Sequence, residues 1–258
     1  MTMQQSIPEC IQKKIAGQNY TIDEIGKSDS QVLCFENMVL KMEAEGENSR
    51  NEYRMLKWLD KKLPVPEVIF HKIEDGMQYL LMSRLDGKMA CDKEYLGCPK
   101  EFIRCLAEGL KMLWLVSIEA CPYQNDLNNK FRLAEKAIEE GRCEMDDLEP
   151  GTYGEDGFSG PEELLLWLKE NRPKEDLVFS HGDYCPQNLF IKDGKVSGFL
   201  DLGNAGIADR WQDIALCVRS LEHNLGKRND YKRQLFQELG IEPDWKKIRY
   251  YILLDELF

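Results

Sequence analysis

The sequence has no long apolar run and a shortage of positive charge, and each absence excludes a class of protein. No apolar stretch approaches the roughly 20 residues of a membrane-spanning helix, and the opening residues, MTMQQSIPEC, lack the charged and apolar regions of a signal peptide. We therefore expect a cytoplasmic protein with no membrane partner. The 34 basic residues are outnumbered by 46 acidic ones, for a net charge of −12. Such a field repels nucleic acid, so no nucleic-acid partner is expected.

Paired cysteines are also missing. The nine cysteines include no C-x-x-C pair, and the spacing of Cys91, Cys98 and Cys105 does not resemble that of a metal site. We interpret them as reduced thiols of an intracellular protein. The 258 residues, of which 43% are apolar, suffice to bury a sizeable core in one domain or two small lobes.

The most informative segment is residues 178–206, VFSHGDYCPQNLFIKDGKVSGFLDLGNAG. It contains His181-Gly182-Asp183, then Asn188, then Asp201-Leu202-Gly203. Protein kinases have H-R-D-x-x-x-x-N followed by D-F-G, where the first Asp accepts the proton of the substrate hydroxyl and the Asn and second Asp bind magnesium. An isolated Asp beside a Gly is usually a solvated turn. The complete order and spacing instead predict a phosphotransferase with Asp183 as catalytic base and Asn188 and Asp201 as Mg²⁺ ligands.

Two local features refine this prediction. The runs 189–191 and 196–200 are apolar and flank a Lys-Asp-Gly-Lys turn, which predicts a hairpin that folds Asp201 back beside Asn188. Gly182 stands where protein kinases have an Arg that pairs with a phosphorylated activation loop. Its presence predicts an enzyme that is always active.

The first third of the chain has the pattern of an antiparallel sheet. Short apolar or alternating runs predict strands at 20–22, 31–35, 38–42, 68–73 and 77–83, with a helix at 48–61. Lys41 lies in VLKM, comparable to the V-A-I-K strand whose lysine contacts the α- and β-phosphates in kinases. Glu52, in the first turn of the predicted helix, is our candidate for its ion-pair partner, although a solvated Glu fits the spacing equally well. A polar turn at 25–30, which contains Ser28, precedes the second strand and could cover phosphates.

The rest of the chain is predicted to be mainly helical, with helices at 99–118, 129–140, 161–170, 208–225, 231–239 and 244–256. We therefore expect an α+β, two-lobed, protein-kinase-like fold with an antiparallel β-sheet N-lobe and a mainly helical C-lobe. The boundary is placed after residue 84, so that residues 1–84 bind nucleotide and residues 85–258 carry the catalytic and acceptor sites. His71 is interpreted as a hydrogen-bonded strand residue.

Several segments resemble the aminoglycoside 3'-phosphotransferases, and most closely the broad-spectrum Gram-positive type: LPVP at 63–66, LVFSHGD at 177–183, KDGKVSGF at 192–199 and YYILLDELF at 250–258. The resemblance implies ATP and Mg²⁺ as cofactors and phosphorylation of the 3'-hydroxyl of aminoglycoside antibiotics, which confers resistance. It assigns Asp183 as base, Asn188 and Asp201 as metal ligands, and Lys41 with Glu52 as the phosphate-binding pair. Ser28 falls in the phosphate-covering loop and Ser83 and Leu85 fall at the hinge. The preference for ATP over GTP as phosphate donor is left open by the sequence, and a monomer or weak dimer is expected.

The resemblance also implies an acidic pocket for a polycationic substrate. Its candidate members are Glu155, Asp156, Glu222, Asp255, Glu256 and Phe258, the last through its α-carboxylate. Asn204 replaces an Arg after the DLG, His223 and Asn224 replace paired acids, and Val39 replaces an aromatic residue at the adenine. A kinase of another small alcohol, such as choline, homoserine, a sugar or a macrolide, is the alternative on the same fold. A catalytically silent binding protein is disfavoured by the complete base and metal set.

Overall fold

The computed structural model describes residues 7–22, 30–143, 148–154 and 157–258. Ser28, Glu155 and Asp156 lie outside the described residues. The described chain consists of an N-terminal antiparallel sheet with two helices and a larger, mainly helical C-terminal part that also contains two small sheets.

The N-terminal sheet has five strands in the order β1-β2-β3-β5-β4, and every neighbouring pair is antiparallel. The strands are β1 (Thr21–Ile22), β2 (Gln31–Cys34), β3 (Met38–Ala44), β4 (Val68–Glu74) and β5 (Met77–Ser83). In the β4–β5 turn, Asp75 and Gly76 have positive φ, 51° and 74°. A two-residue hairpin turn whose twist matches that of its strands requires this conformation. Strands β2 to β5 were predicted to within two residues at each end.

Two helices cover this sheet. Helix α1 (Glu9–Ile15) places Ile11 in a small core with Leu33, Phe35 and Leu40. Helix α2 (Glu47–Leu59) contributes Met55, Leu56 and Leu59 to the main core, which continues into the C-terminal part. Because α2 belongs to both regions, its position couples the sheet to the catalytic segment. The sequence prediction contained α2 and omitted α1.

The C-terminal part is built on seven helices of the described residues: α3 (Lys93–Leu96), α4 (Pro99–Trp114), α5 (Leu127–Glu139), α6 (Pro161–Glu170), α7 (Arg210–Leu225), α8 (Asn229–Leu239) and α9 (Trp245–Asp255). Its strands are β6 (Lys88–Met89), β7 (Leu177–Ser180), β8 (Leu189–Lys192), β9 (Lys195–Phe199) and β10 (Gly206–Asp209). Strands β6, β8 and β9 form one sheet, and β7 pairs with β10 in the other. The catalytic loop leaves β7 and the predicted hairpin is β8–β9.

Most predicted helices begin or end one or more residues away from the observed ends, including those predicted at 208–225 and 99–118. The helix predicted at 208–225 begins at Arg210, because residues 206–209 pair with β7 as β10, with Gly206 opposite Ser180 and Asp209 opposite Leu177. Asp209 then caps α7 by accepting a hydrogen bond from the backbone N–H of Trp211. The helix predicted at 99–118 ends at Trp114. Among the described residues, no helix has the length and apolar character to span a bilayer.

Candidate active site

Asp183 and Asn188 are joined by hydrogen bonds within the catalytic loop. Asn188 lies at the end of a 3₁₀ turn, Pro186–Asn188. Its Nδ2 donates to Asp183 Oδ2 at 2.9 Å and to the Asp183 carbonyl at 3.1 Å. Since the amide nitrogen is engaged, Asn188 Oδ1 is left as the group that can bind a cation. Burial raises the pKa of Asp183 above its ordinary value, as suits a carboxylate that receives a proton.

Helix α7 holds the backbone of the catalytic loop in place. Asp213 is fully buried, and its two carboxylate oxygens accept hydrogen bonds from the backbone N–H groups of His181 at 2.7 Å and Gly182 at 2.9 Å. The ring of His181 contacts the Leu200 carbonyl at 2.8 Å, which ties the loop to the residue before Asp201. The sequence analysis did not identify Asp213, because an Asp in the first turn of a helix is ordinarily explained by the helix dipole.

Gly182 is required by the backbone. Its φ is +81°, and a Cβ added there would lie 2.1 Å from the carbonyl oxygen of Asn204. Neither the left-handed conformation nor this contact admits a side chain at low energy. The absence of the kinase Arg at this position therefore has a local structural cause.

Asp201 is placed by the β8–β9 hairpin, as predicted. The hairpin turn has Asp193 and Gly194 at positive φ, 51° and 69°, and the Leu200 N–H donates to the Asn188 carbonyl at 2.9 Å. Asp201 itself is left-handed, with φ 54°, and its side chain is 53% exposed. The hairpin brings Asp201 close to the loop that contains Asn188, and the exposed Asp201 carboxylate is accessible to a ligand.

Lys41 is surrounded by three carboxylates. Its Nζ lies 2.8 Å from Glu52 Oε2, 3.4 Å from Asp201 Oδ1 and 3.5 Å from Glu43 Oε2. Although burial lowers the pKa of Lys41, attraction to Glu52, Asp201 and Glu43 outweighs it, so the pKa is raised and the ammonium is retained. The predicted pair of Lys41 with Glu52 is formed. Glu43 is a further partner that the sequence analysis missed, although the alternation of β3 puts it on the same face as Lys41.

Helix α2 is linked to the DLG segment by Asn51. The buried Asn51 Nδ2 donates to the carbonyls of Gly203 at 2.8 Å and Ala205 at 2.9 Å. Glu52 is the next residue, so these hydrogen bonds also hold the Lys41 partner in place. We call Asn51 and its two carbonyl acceptors the Asn51 link.

The two predicted hinge residues lie where strand β5 leads into the C-terminal part. The Ser83 backbone N–H donates to the Glu67 carbonyl, and Ser83 Oγ accepts from the Glu67 N–H, both at 2.8 Å. Leu85 packs over Gly198 of β9, where an added Cβ would lie 2.5 Å from Leu85 Cδ1. Leu85 therefore forms part of the contact between the hinge and the catalytic hairpin. Val39 is opposite Met82 in the sheet.

Of the predicted acceptor-side acids, the three that the structure describes with side-chain carboxylates, Glu222, Asp255 and Glu256, all lie against basic side chains. Asp255 pairs with Arg219, and Glu256 lies 3.8 Å from the same guanidinium. Glu256 is 7% exposed, and its Oε2 also accepts from the Glu149 N–H at 3.2 Å. Glu222 instead pairs with Lys232 of α8 at 2.6 Å. The structure thus brings Asp255, Glu256 and Arg219 together, and it engages Glu222 with another helix.

Comparison with known proteins identifies the family. Residues 25–251 match the phosphotransferase enzyme family. The chain belongs to this family.

The relatives of this phosphotransferase confirm the resemblance seen in the sequence. It is 42% identical over 231 residues to the aminoglycoside 3'-phosphotransferase of Enterococcus faecalis, with 86% of each chain covered. It is 44% identical over 214 residues to that of Niallia circulans, with 81% of this chain and 78% of the relative covered. The crystal structure of the aminoglycoside-3'-phosphotransferase of type VIII superimposes with a TM-score of 0.83 at 27% identity, over 96% of this chain and 97% of that one. The kinase-like α+β fold predicted from the sequence is confirmed.

The donor set of this phosphotransferase fits a magnesium ion bound with nucleotide. Among the described residues, no group of three or more His, Cys, Asp and Glu side chains could hold a metal alone. Mg²⁺ bound with a nucleotide needs only one or two protein ligands, since phosphate oxygens and water supply the rest. Asn188 Oδ1 and the exposed Asp201 carboxylate meet that need. Cys185, in the same loop, is unsuited to nucleophilic work because burial raises the pKa of its thiol to about 12.

Proposed function

We propose that this phosphotransferase transfers the γ-phosphoryl group of ATP to the 3'-hydroxyl of aminoglycoside antibiotics and thereby confers resistance to them. The observation that carries the proposal is the hydrogen bond from Asn188 to Asp183, formed beside the contact between Lys41 and Asp201. The hydrogen bond joins Asp183, which would activate the acceptor, to Asn188, which would bind the metal of the nucleotide, within one loop. The relatives named above are aminoglycoside 3'-phosphotransferases, which supports the choice of acceptor.

The reaction forms a bond between the acceptor oxygen and the γ-phosphorus and breaks the bond from that phosphorus to the bridging oxygen of ADP. Asp183 receives the proton of the hydroxyl, and Asn188 holds the Asp183 carboxylate in position for it. Lys41, fixed by Glu52, binds the α- and β-phosphates. Asn188 and Asp201 would hold Mg²⁺, which neutralises charge on the phosphate oxygens when bound. In this proposal residues 1–84 bind the nucleotide, with Ser28, Ser83 and Leu85 around it, and residues 85–258 bind the acceptor.

Charge supports a polycationic acceptor. The chain carries a net charge of −12, and Asp255 and Glu256, which precede Phe258 in the sequence, bring two side-chain carboxylates to one region, beside Arg219. With Glu155, Asp156 and Glu222, these three C-terminal residues are the ones we assign to acceptor binding. Ammonium groups paired with such carboxylates form charge-assisted hydrogen bonds, each stronger than a neutral one.

The test is release of ADP by purified protein with ATP and Mg²⁺ over a panel of aminoglycosides, choline, homoserine and macrolides. We expect turnover with kanamycin and neomycin and none above background with the other classes. Tobramycin, which lacks the 3'-hydroxyl, should bind as a competitor and remain unphosphorylated because Asp183 finds no hydroxyl there. Rapid phosphorylation of tobramycin would contradict the 3' assignment, and turnover only with choline, homoserine or a macrolide would contradict the substrate class.

A further inference from the structure

Lys130 is a buried lysine to which the proposed chemistry assigns no role. It lies in the first turns of α5, where its backbone N–H bonds to the Asp126 carbonyl at 2.9 Å. It is only 6% exposed, and lysines are seldom so buried unless they are paired. Within the described part of the chain, its Nζ makes neither a hydrogen bond nor an ion pair, and its contact is the ring of Phe258, 4.9 Å away.

The charges around Lys130 come from three separate elements. Burial lowers the pKa of Lys130, and attraction to Asp255 of α9, Asp213 of α7 and Asp183 of the catalytic loop opposes this. Each carboxylate already has its own partner: Arg219 for Asp255, the backbone N–H groups of the loop for Asp213, and Asn188 for Asp183. Among the described residues, Lys130 is therefore a counter-charge shared by these three carboxylates and forms an ion pair with none of them.

Lys130 lies close to residues that are assigned to the reaction and to acceptor binding. Its neighbours include Asp183, which acts on the acceptor hydroxyl in the proposed reaction, and Asp255, which is assigned to acceptor binding. Its ring contact is Phe258, which is also assigned to acceptor binding. A substrate ammonium in this region would interact with the same carboxylates as Lys130. Two like charges a few ångströms apart in a desolvated site repel strongly.

We propose that Lys130 is a specificity-determining residue whose ammonium occupies, on the acceptor side of the site, a position that a substrate ammonium would otherwise fill. This inference rests on the proposed function. The wild-type pocket then suits an acceptor that presents a hydroxyl near Lys130 better than one that presents an ammonium there. Removal of the Lys130 charge leaves room and unbalanced negative charge for one further substrate ammonium.

Two pairs of aminoglycosides that both retain the 3'-hydroxyl test this inference. Kanamycin A and kanamycin B differ by hydroxyl against amine at position 2', and paromomycin and neomycin B differ in the same way at position 6'. We would measure kcat and KM for all four with wild type, Lys130→Met and Lys130→Arg. The control is Lys136→Met, on the same helix, whose side chain is 56% exposed.

In Lys130→Met, we expect the ratio of kcat/KM for the amino member to that for the hydroxyl member to rise about tenfold or more in at least one pair. The rise should come mainly from KM. Lys130→Arg and Lys136→Met should keep the wild-type ratios within about twofold. A purely structural role of Lys130 would instead lower all four values together, leave both ratios unchanged, and overturn the inference.

Thermal unfolding shows whether each variant is folded, and Lys130→Gln replaces the Met variant if that does not fold. If neither neutral variant folds, the wild-type kcat/KM values alone test the inference. A wild-type preference for the amino member of both pairs would contradict the placement of the Lys130 ammonium at that position. If wild type phosphorylates no aminoglycoside, the proposed function and this inference fail together. If wild type is active and the ratios of a folded neutral variant do not change, only this inference fails.

Discussion

The side-chain amide of Asn188 donates a hydrogen bond of 2.9 Å to the carboxylate of Asp183. In the proposed reaction its nitrogen positions the base while its oxygen is left for a cation, so one residue would couple acceptor activation to nucleotide binding. Asp201 has no such bond to Asp183 among the described contacts and lies instead beside Lys41. Substitution of the two aspartates should therefore have separable effects.

Asp183→Asn should lower kcat by about 100-fold or more, since it removes the group that accepts the proton, and should leave nucleotide affinity nearly unchanged. Asp201→Ala should weaken Mg²⁺-dependent nucleotide binding as well as turnover. Calorimetry with a non-hydrolysable ATP analogue and Mg²⁺ measures the binding, and ADP release measures the turnover. Equal nucleotide affinities for wild type and both variants would show that the two roles are assigned wrongly.

Lys41→Met should raise the KM for ATP more than the KM for the aminoglycoside, because the ammonium held by Glu52 at 2.8 Å contacts phosphates. Glu52→Gln should act in the same direction with a smaller effect, since the lysine remains. Lys72→Met, on strand β4 at the edge of the same sheet and paired with Glu74, is the control. The opposite pattern of KM changes would place Lys41 on the acceptor.

Gly182→Ala and Gly226→Ala form a matched pair, since both glycines have positive φ, +81° and +83°. A Cβ at Gly226 meets nothing within 4 Å, whereas one at Gly182 lies 2.1 Å from the Asn204 carbonyl oxygen. Gly226→Ala should lose about 1–3 kcal/mol from backbone strain alone. Gly182→Ala should lose more stability and most of its turnover. Thermal unfolding and ADP release compare them, and equal losses at the two positions would refute the crowding at Gly182.

Asn51→Leu removes the Asn51 link and leaves the buried carbonyls of Gly203 and Ala205 without their donor. An unsatisfied buried polar group costs about 1–3 kcal/mol, so chemical denaturation should show a loss in that range. The KM for ATP should also rise, because Glu52 is the adjacent residue. Asn171→Leu, at an exposed helix end where Nδ2 bonds only to Trp167, is the control. An Asn51→Leu enzyme with wild-type KM for ATP would show that α2 needs no such link.

Asp255→Asn should raise the KM for aminoglycosides by roughly 10- to 150-fold, the equivalent of one charge-assisted hydrogen bond of about 1.5–3 kcal/mol, and leave the KM for ATP unchanged. Added salt should weaken drug binding to wild type for the same reason. A point substitution is preferable to deletion of the last residues, because Leu257 is fully buried. Asp230→Asn, on the surface of α8, is the control. An unchanged KM for the drug in Asp255→Asn would refute the acidic-tail assignment.

The arrangement of the candidate nucleotide and catalytic residues could be predicted because it is encoded locally. Asp183, Asn188 and Asp201 lie within one short segment, and the intervening turn needs residues such as Asp193 and Gly194 that tolerate positive φ. Lys41 and Glu52 are 11 residues apart on adjacent elements. Local propensity and spacing therefore determined most of this part of the site.

The supporting contacts could not be predicted, because they join residues far apart in sequence. Asn51 and Gly203 are separated by 152 positions, and Asp213 reaches back 32 positions to His181. Residues 208–209, the second half of β10, were wrongly predicted as helix for a related reason, since their conformation is decided by pairing with β7 rather than by their own propensity. A helix as short as α1, with seven residues, carries too little periodicity to be recognised.

The Asn51 link has a consequence for inhibitor selectivity. Some kinase ligands bind only after the helix that carries the ion-pair glutamate swings outward or the DFG segment turns over. In this protein such a rearrangement must break two buried hydrogen bonds between α2 and the DLG segment, and Leu202 must leave a fully buried position. Compounds that fit the assembled arrangement, with the Lys41–Glu52 pair intact, are therefore the better starting points for restoring drug sensitivity.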